Sequence, residues 1–544
     1  MKNISLLTFI LFAITASFST SAQDKYFVKF TDKDNSTYSI ENPSAFLSER
    51  AISRRTKQGI SITQEDLPVN SNYVQQVQNT GAIVDYSLKW LNGVVITITN
   101  SNQLTSIQNL SFVSSTNKIY QSGVKGSKLT YEKCKTISPE KKVSSTLELN
   151  YGNSSTQIKM MNGHILHNAG FLGEGIQIAV IDAGFGDVDS HQAFDSLRTR
   201  GRILGTKDFI NPNSNIYQED SHGMMVLSTM GGYIAGQLIG TAPRAKYWLI
   251  RTENASVEQI YEEYGWAAGA EFADSVGADI INTSLGYSTF DVESQNHPYS
   301  DLDGSKTPIT KAANTAASKG MVVVVSAGNE GNDDWYYISA PADSPNVLTV
   351  GAVDKYKNKA AFSSFGPTAD GRIKPDVCAM GQAAVVASTT GLTGTNNGTS
   401  FSSPIMAGMI ACLWQAKPTL TSTEIIQLVK ASSSNASSPN NSIGYGIPDF
   451  STTVGVNSEI VGSNEIVIFP NPFNDAIKLR LPEIAEGLAE YSVISIIGKT
   501  IVKKEENVLN HYLEINLPSS TPTGNYIIKV TSGSKIYFAK AVKN

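Results

Sequence analysis

The chain has 544 residues, 41% of them hydrophobic and 17% charged, with a formal net charge of -5 at pH 7. That length exceeds one ordinary domain and predicts about three, while the acidic balance leaves no basic footprint for a nucleic acid partner. Three cysteines, Cys134, Cys378 and Cys412, are too few for a disulfide framework, and Cys412, in an apolar stretch, reads as a buried small hydrophobe.

Residues 1–22 have the layout of a signal peptide. Lys2 supplies the positive start, 6–16 is a short apolar run, and Thr20-Ser21-Ala22 offers small residues for cleavage before Gln23. The run is too short to span a bilayer, and no second stretch of that kind follows. The mature chain is therefore expected outside the cell membrane, without a transmembrane segment.

Residues 24–120 predict a small α+β unit. Strands are expected at 26–30, 82–90, 93–99 and 112–119, and helices at 72–79 and 103–109. Asn92-Gly93 is the hairpin turn between the second and third strands. This order suits a ferredoxin-like split β-α-β unit. Residues 121–150 are polar and aperiodic, and read as a linker where processing would fall.

From 151 to 455 strands alternate with helices. The strands at 176–181, 246–251, 279–284, 321–326 and 347–350 are near-continuous apolar runs, as strands buried on both faces are. Helices are expected at 257–275 and 308–318. The pattern is α/β: a parallel sheet flanked by helices, with functional groups gathered at the carboxyl ends of its strands. Residues 456–464 read as a second linker. Residues 465–544 carry short strands, at 466–469, 476–481, 491–496 and 526–530, and predict a small β-sandwich.

The most informative stretch runs from Asn397 to Gly408. Gly398 permits a tight bend, and Pro404 is read in the first turn of an apolar helix, where a missing N–H costs nothing. Ser400 is then offered at a helix N-terminus, where the dipole and free N–H groups favour developing negative charge. A nucleophilic hydroxyl is presented for acyl transfer in this way; a plain serine N-cap is the simpler reading. A nucleophile needs a base and an orienting acid. Of six histidines, His164 and His167 precede the first strand of the sheet, His191 and His297 lie in loops, and His511 is in the tail. His222 alone opens an apolar small-residue helix. Asp182 ends the strand at 176–181. Singly, Asp182 reads equally as a turn residue and His222 as a helix-start histidine. Together the order Asp182, His222, Ser400 is that of one serine-triad lineage.

With these residues in place the chain resembles the subtilisin-like serine proteases, the subtilases, over about 151–455. Val180-Ile181-Asp182-Ala183-Gly184, Ser221-His222-Gly223 and Gly398-Thr399-Ser400 with Pro404 resemble the three triad motifs. Ser326-Ala327-Gly328-Asn329 resembles the oxyanion motif, and Asn282-Thr283-Ser284-Leu285-Gly286 the substrate-binding strand. Phe362-Ser363-Ser364-Phe365-Gly366 and Lys374-Pro375-Asp376-Val377 are further landmarks. Three positions depart from the usual pattern: Met224 for threonine, Phe401 for methionine, and Cys378-Ala379-Met380 where a proline is usual before Gly381.

The resemblance implies an acyl-enzyme mechanism on protein or peptide substrates. Ser400 would be the nucleophile, His222 the base, Asp182 its orienter and Asn329 the oxyanion donor. Ser284, Leu285 and Gly286 would line one side of the pocket for the residue before the cut, Ala327 and Gly328 the other, with a floor near Ser339. No carboxylate marks that floor, so an apolar or broad preference is expected. No cofactor is required by this chemistry. Structural calcium is compatible with the acidic stretch between Gly286 and Thr307, which contains Asp291, Glu293, Asp301 and Asp303, but the sequence assigns no ligands. By its place before such a domain, 24–120 is expected to be an inhibitory pro-segment, with an accessory domain as the alternative.

The tail is similar to the C-terminal sorting domain of Bacteroidetes type IX secretion cargo, on Ile468-Phe469-Pro470-Asn471-Pro472, Ile497-Gly498-Lys499, Gly524-Asn525-Tyr526 and Lys543. That implies the type IX machinery as a partner, and a secreted or surface location on a Gram-negative bacterium. Two rivals to a protease remain open: a non-catalytic surface binding protein on the same scaffold, and another acyl transfer.

Overall fold

The computed structural model describes residues 23–126, 134–136, 149–453, 467–481, 487–495, 499–508, 512–518, 520–532 and 535–544. The expected signal peptide, 1–22, and the linker at 456–464 lie outside the described residues.

The central sheet has seven strands in the order Val377–Met380, Leu348–Val353, Val322–Ser326, Ile280–Thr283, Gln177–Asp182, Lys246–Arg251, Ile203–Asp208. Every neighbouring pair is parallel. The two-residue side-chain period sorts each strand between two cores. Ile178, Val180, Val322 and Val324 face the helices His222–Gly231 and Thr399–Ala416. Ala179, Ile181, Val323 and Val325 face the helices Tyr261–Val276 and Pro308–Ser318. Both faces are thus covered, which is why the strands read as unbroken apolar runs.

The two edge strands were not expected, for physical reasons. Ile203–Asp208 is only partly buried and carries Thr206 and Lys207 to solvent, so it lacks an apolar run. Val377–Met380 is four residues long and follows Pro375. The helix expected from 257 begins instead at Tyr261, because the preceding backbone is held in a loop. In that loop the Asn254 and Gln259 N–H groups donate to the Glu262 carboxylate.

The N-terminal unit is a four-stranded antiparallel sheet in the order Ile83–Leu88, Gly93–Ile98, Asp24–Phe30, Val113–Tyr120. With the helices Ser71–Asn79 and Ser101–Gln108 this is the ferredoxin-like arrangement. All six residues of Gly93–Ile98 are buried, so both faces of the sheet must be covered. Val28, Phe30, Val94 and Ile96 pack on the unit's own helices. Phe27, Leu88, Trp90, Val95 and Ile119 share a core with Tyr261, Tyr264 and Trp266 of the α/β unit.

A further helix, Glu49–Lys57, also docks on the α/β unit. Ser48 caps it by accepting from Ala51 N at 3.2 Å. Its Arg54 and Arg55, 5% and 0% exposed, pair with Asp274 of the helix Tyr261–Val276 at 2.6 and 2.8 Å. Arg55 also pairs with Asp66 at 2.8 Å. Glu271 of the same helix accepts the Lys89 and Trp90 N–H groups at the hairpin turn, each at 2.9 Å.

The linker 121–150 is not featureless where it is described. Lys135–Thr136 forms a short strand on the edge of the antiparallel pair Ala384–Ser388 and Gly391–Asn396. Cys134, half-buried, lies against Gly394. The C-terminal unit is two antiparallel sheets of three and four strands around Phe473, Ile477, Leu479, Tyr491, Val493, Ile528 and Val530. It is the expected small β-sandwich, with a core of its own.

Candidate active site

Asp182 ends its strand and is fully buried. Its Oδ1 accepts from the Ala183 N–H at 2.8 Å and lies 2.7 Å from His222 Nδ1. His222 is the first residue of the helix His222–Gly231, and its own N–H donates to Asp220 Oδ1 at 2.7 Å. Burial disfavours the imidazolium, but Asp182, with Asp220 behind it, more than compensates, so the pKa stands above the usual histidine value. Because Nδ1 faces the carboxylate, Nε2 is the nitrogen left to exchange a proton.

Ser400 is the second residue of the helix Thr399–Ala416, which packs against the helix of His222. The bend before it needs Gly398, whose φ of +145° few side-chain-bearing residues adopt. The Phe401 ring lies 6.0 Å from the His222 ring and is 2% exposed, so this departure from the usual pattern is absorbed as core packing. Met224 is likewise fully buried.

Pro404 is not in the first turn as expected; it lies inside the helix. Its missing N–H would have bonded to the carbonyl four residues earlier, that of Ser400. The Ser284 hydroxyl donates to that carbonyl instead, at 2.8 Å. A residue expected only to line a pocket thus completes the backbone bonding of Ser400. One turn on, Ser403 Oγ donates to Asn282 Oδ1 at 3.0 Å, a second tie to the same strand.

Asn329 is exposed at the end of the strand Val322–Ser326 and adjoins Ser400 through Thr399. The Thr399 N–H and hydroxyl reach Asn329 Oδ1 at 2.8 and 3.0 Å. The side-chain carbonyl is therefore occupied, and the amide NH₂ is the end left for a ligand. Leu285 is buried and Gly286 exposed, and a Cβ on Gly286 would come within 2.2 Å of Ser339 Oγ. The expected floor residue is thus at the expected wall, and the segments also pair through Tyr287 and Ala340. Ala327 and Gly328 are buried, and Gly328 exchanges bonds with the Thr399 hydroxyl.

The sequence reading missed Asp220 and Thr399 as orienting groups. The Asp220-Ser221-His222 run, a carboxylate two residues ahead of a helix-start N–H, was the available signal. The other expected acids are engaged locally: Asp301 and Asp303 lie against Lys306 at 3.2 and 3.6 Å, and Asp291 accepts from the Glu258 N–H at 2.7 Å.

An acid-held histidine and a helix-start serine at the carboxyl edge of a parallel sheet define the class of site in which a hydroxyl is made nucleophilic. The chain belongs to the subtilase family, whose model matches residues 173–446. Residues 25–134 match the peptidase S8 propeptide domain of Bacteroidota, and 467–544 the secretion-system C-terminal sorting domain. The propeptide match thus reaches past 120 to Cys134. The sorting domain marks a secreted or cell-surface protein. Among the described residues no helix is long and apolar enough to cross a membrane.

Among similar proteins, subtilisin E of Bacillus subtilis is 29% identical over 272 residues, covering 49% of this chain and 63% of its own length. Serine protease AprX of Bacillus subtilis is 31% identical over 287 residues, covering 47% and 61%. Subtilisin of Bacillus pumilus is 29% identical over 272 residues, covering 49% and 87%. The match thus spans less than two thirds of the first two relatives.

Proposed function

We propose that the chain is a secreted serine endopeptidase made as a zymogen. The observation that carries this is the buried Asp182–His222 pair at 2.7 Å, set in a helix that packs on the helix presenting Ser400. Ser400 Oγ attacks the peptide carbonyl while His222 Nε2 takes its proton and later returns it to the leaving amine. Asp182 holds the tautomer and stabilises the imidazolium. The Asn329 amide and the Ser400 N–H, at a helix start, receive the oxyanion. Ser284, Leu285, Gly286, Ala327 and Gly328 line the pocket for the residue before the cut, which is apolar or broadly chosen.

The unit 24–120 inhibits this site until processing, and the type IX machinery exports the chain through its tail. Supporting the first point, the pro-segment continues past its sheet along the catalytic unit. Gln121 N–H donates to Gln259 Oε1 at 2.7 Å, and Gln259 Nε2 to Gln121 O at 3.1 Å.

The test is casein turnover together with fluorophosphonate labelling of the processed secreted protein. Both are expected, and both should vanish in Ser400→Ala with the fold retained, the loss in kcat being about 10⁶-fold on the known subtilisin example. Folded, processed protein that neither labels nor cleaves would instead be a binding protein on this scaffold. Labelling with ester but no peptide turnover would mark another acyl transfer.

A further inference from the structure

Three glutamates outside the triad lie close together at the same edge of the sheet. Glu253 is two residues past Arg251, whose strand neighbour is Asp182. Glu258 is in the following loop, and Glu262 is the second residue of the helix Tyr261–Val276. One carboxylate oxygen from each lies within 4.8 Å of the others. Glu253 and Glu262 are 2% and 0% exposed. Such a cluster calls for a cation or for shared protons.

No lysine, arginine or histidine pairs with any of the three among the described residues. The charges that act on them are one another and Asp182, Asp220, Asp291 and Glu263, all acidic. Glu262 is held by the Asn254 and Gln259 N–H groups, but Glu253 Oε2 and Glu258 Oε2 are buried without a hydrogen-bond partner. A fourth oxygen, outside the acidic set, points the same way. Tyr287 is 1% exposed, and its buried hydroxyl, which makes no well-formed hydrogen bond, is aimed at Glu253. Burial and then Glu253, Glu262 and Glu258 drive its pKa well above the usual value.

We propose that Glu253, Glu258 and Glu262, with the Tyr287 hydroxyl, form a divalent cation site of the calcium class. The donors are all hard oxygens, without the nitrogen or sulfur ligands that select zinc. Calcium takes six to eight oxygens in a flexible shell, whereas magnesium demands a near-octahedral set and keeps several of its waters, so a cluster of long carboxylate side chains suits calcium. Three carboxylates supply up to six oxygens when bidentate. The ion would neutralise the charge pressing on Asp182 and fix the loop 253–262. The pro-segment lies on that loop: Gln121 bonds to Gln259, and Gly126 sits against Ser256 and Val257.

The test uses the full chain carrying Ser400→Ala, so that its pro-segment stays attached. After chelator treatment it is titrated with calcium chloride by calorimetry and by thermal unfolding. The parent should bind one calcium more than Glu258→Gln and gain thermal stability that this variant does not. Tyr287→Phe, which keeps the ring, should weaken that binding about tenfold, and Asp303→Asn, on the exposed loop, should leave it unchanged. Equal uptake by parent and Glu258→Gln overturns the proposal. So does a parent indifferent to calcium, in which the three carboxyls share protons. Should Glu258→Gln not fold, terbium luminescence excited through tyrosine decides on the parent and Tyr287→Phe. A calcium-displaceable signal that Tyr287→Phe diminishes supports the site, and no such signal, or one unchanged in Tyr287→Phe, overturns it.

Discussion

Ser284 bonds to the Ser400 carbonyl and Asn329 to the neighbouring Thr399, and their substitutions should separate cleanly. Ser284→Ala leaves the Ser400 carbonyl, already deprived of a partner by Pro404, without its 2.8 Å bond. An unsatisfied buried acceptor costs about 1–3 kcal/mol, so the melting temperature should fall, and Ser284→Thr should restore most of it. Asn329 is exposed, so Asn329→Ala should leave stability unchanged and lower kcat about 100- to 1000-fold with KM nearly constant. An unchanged kcat would remove Asn329 from the mechanism. The pH profile tests His222. A base must be neutral to accept a proton, and the pKa of His222 is raised by Asp182 and Asp220 against burial. The acid limb of kcat/KM should therefore fall at a pH above about 6.5, the unperturbed histidine value, and Asp220→Asn should move it lower while activity persists. The positions of Asp182, His222 and Ser400 were legible because each sits in a short motif at the end of an element. The role of Ser284 was not, because it depends on a helix register that places Pro404 one turn deeper than its sequence suggests.

Two helices hold the pro-segment to the catalytic unit, and they differ in how sequence reports them. Tyr261–Val276 was expected, from its apolar length. Glu49–Lys57 was not: nothing local marks its arginines for burial, since their partner Asp274 is more than two hundred residues away. Arg55→Ala takes one buried partner from each of Asp66 and Asp274, which keep Lys319 and the Arg54–Lys89 pair respectively. Loss of a hydrogen bond to a charged group costs about 1.5–3 kcal/mol, so the pro-segment should dissociate more readily, read as a higher dissociation constant after processing. The network also sets a pH window. Burial opposes the charge on Asp274, but Lys89, Arg54 and Arg55 bring its pKa down to about 2. Its contribution is therefore complete above the ordinary aspartate pKa and is lost only below it. Glu271 behaves oppositely. Burial outweighs Lys89 and the backbone donors and raises it to about 7. A raised carboxyl pKa favours the docked state at low pH, and that contribution fades as pH rises from the ordinary glutamate value through about 7. Pro-segment inhibition measured against pH should weaken across this window, and Glu271→Gln should flatten the dependence.

At the scale of the whole molecule the three units differ in their dependence on one another. The N-terminal sheet needs the catalytic helix to cover one face, whereas the C-terminal sandwich closes a core from its own residues. A unit with its own core needs few contacts across a linker. A chain ending at Val461 should therefore keep full peptidase activity when purified, while in its host it should accumulate in the periplasm. A fluorescent protein carrying 465–544 behind a signal peptide should reach the medium; if it stays periplasmic while the shortened chain is exported, the tail is a binding module. The division into units was legible from composition, but the seating of 134–136 on the catalytic unit was not, because two paired residues leave no periodicity to read. That small seat has a practical consequence. Burial makes the thiol of Cys378 unreactive, its pKa pushed up to about 12, and does the same to Cys412, while Cys134 is only half covered beside Gly394. Native full-length protein should accept one maleimide, at Cys134, and unfolded protein three. Because Cys134 stands at the junction of pro-segment and enzyme, counting labels on the native secreted form reveals on which side of it the chain was cut.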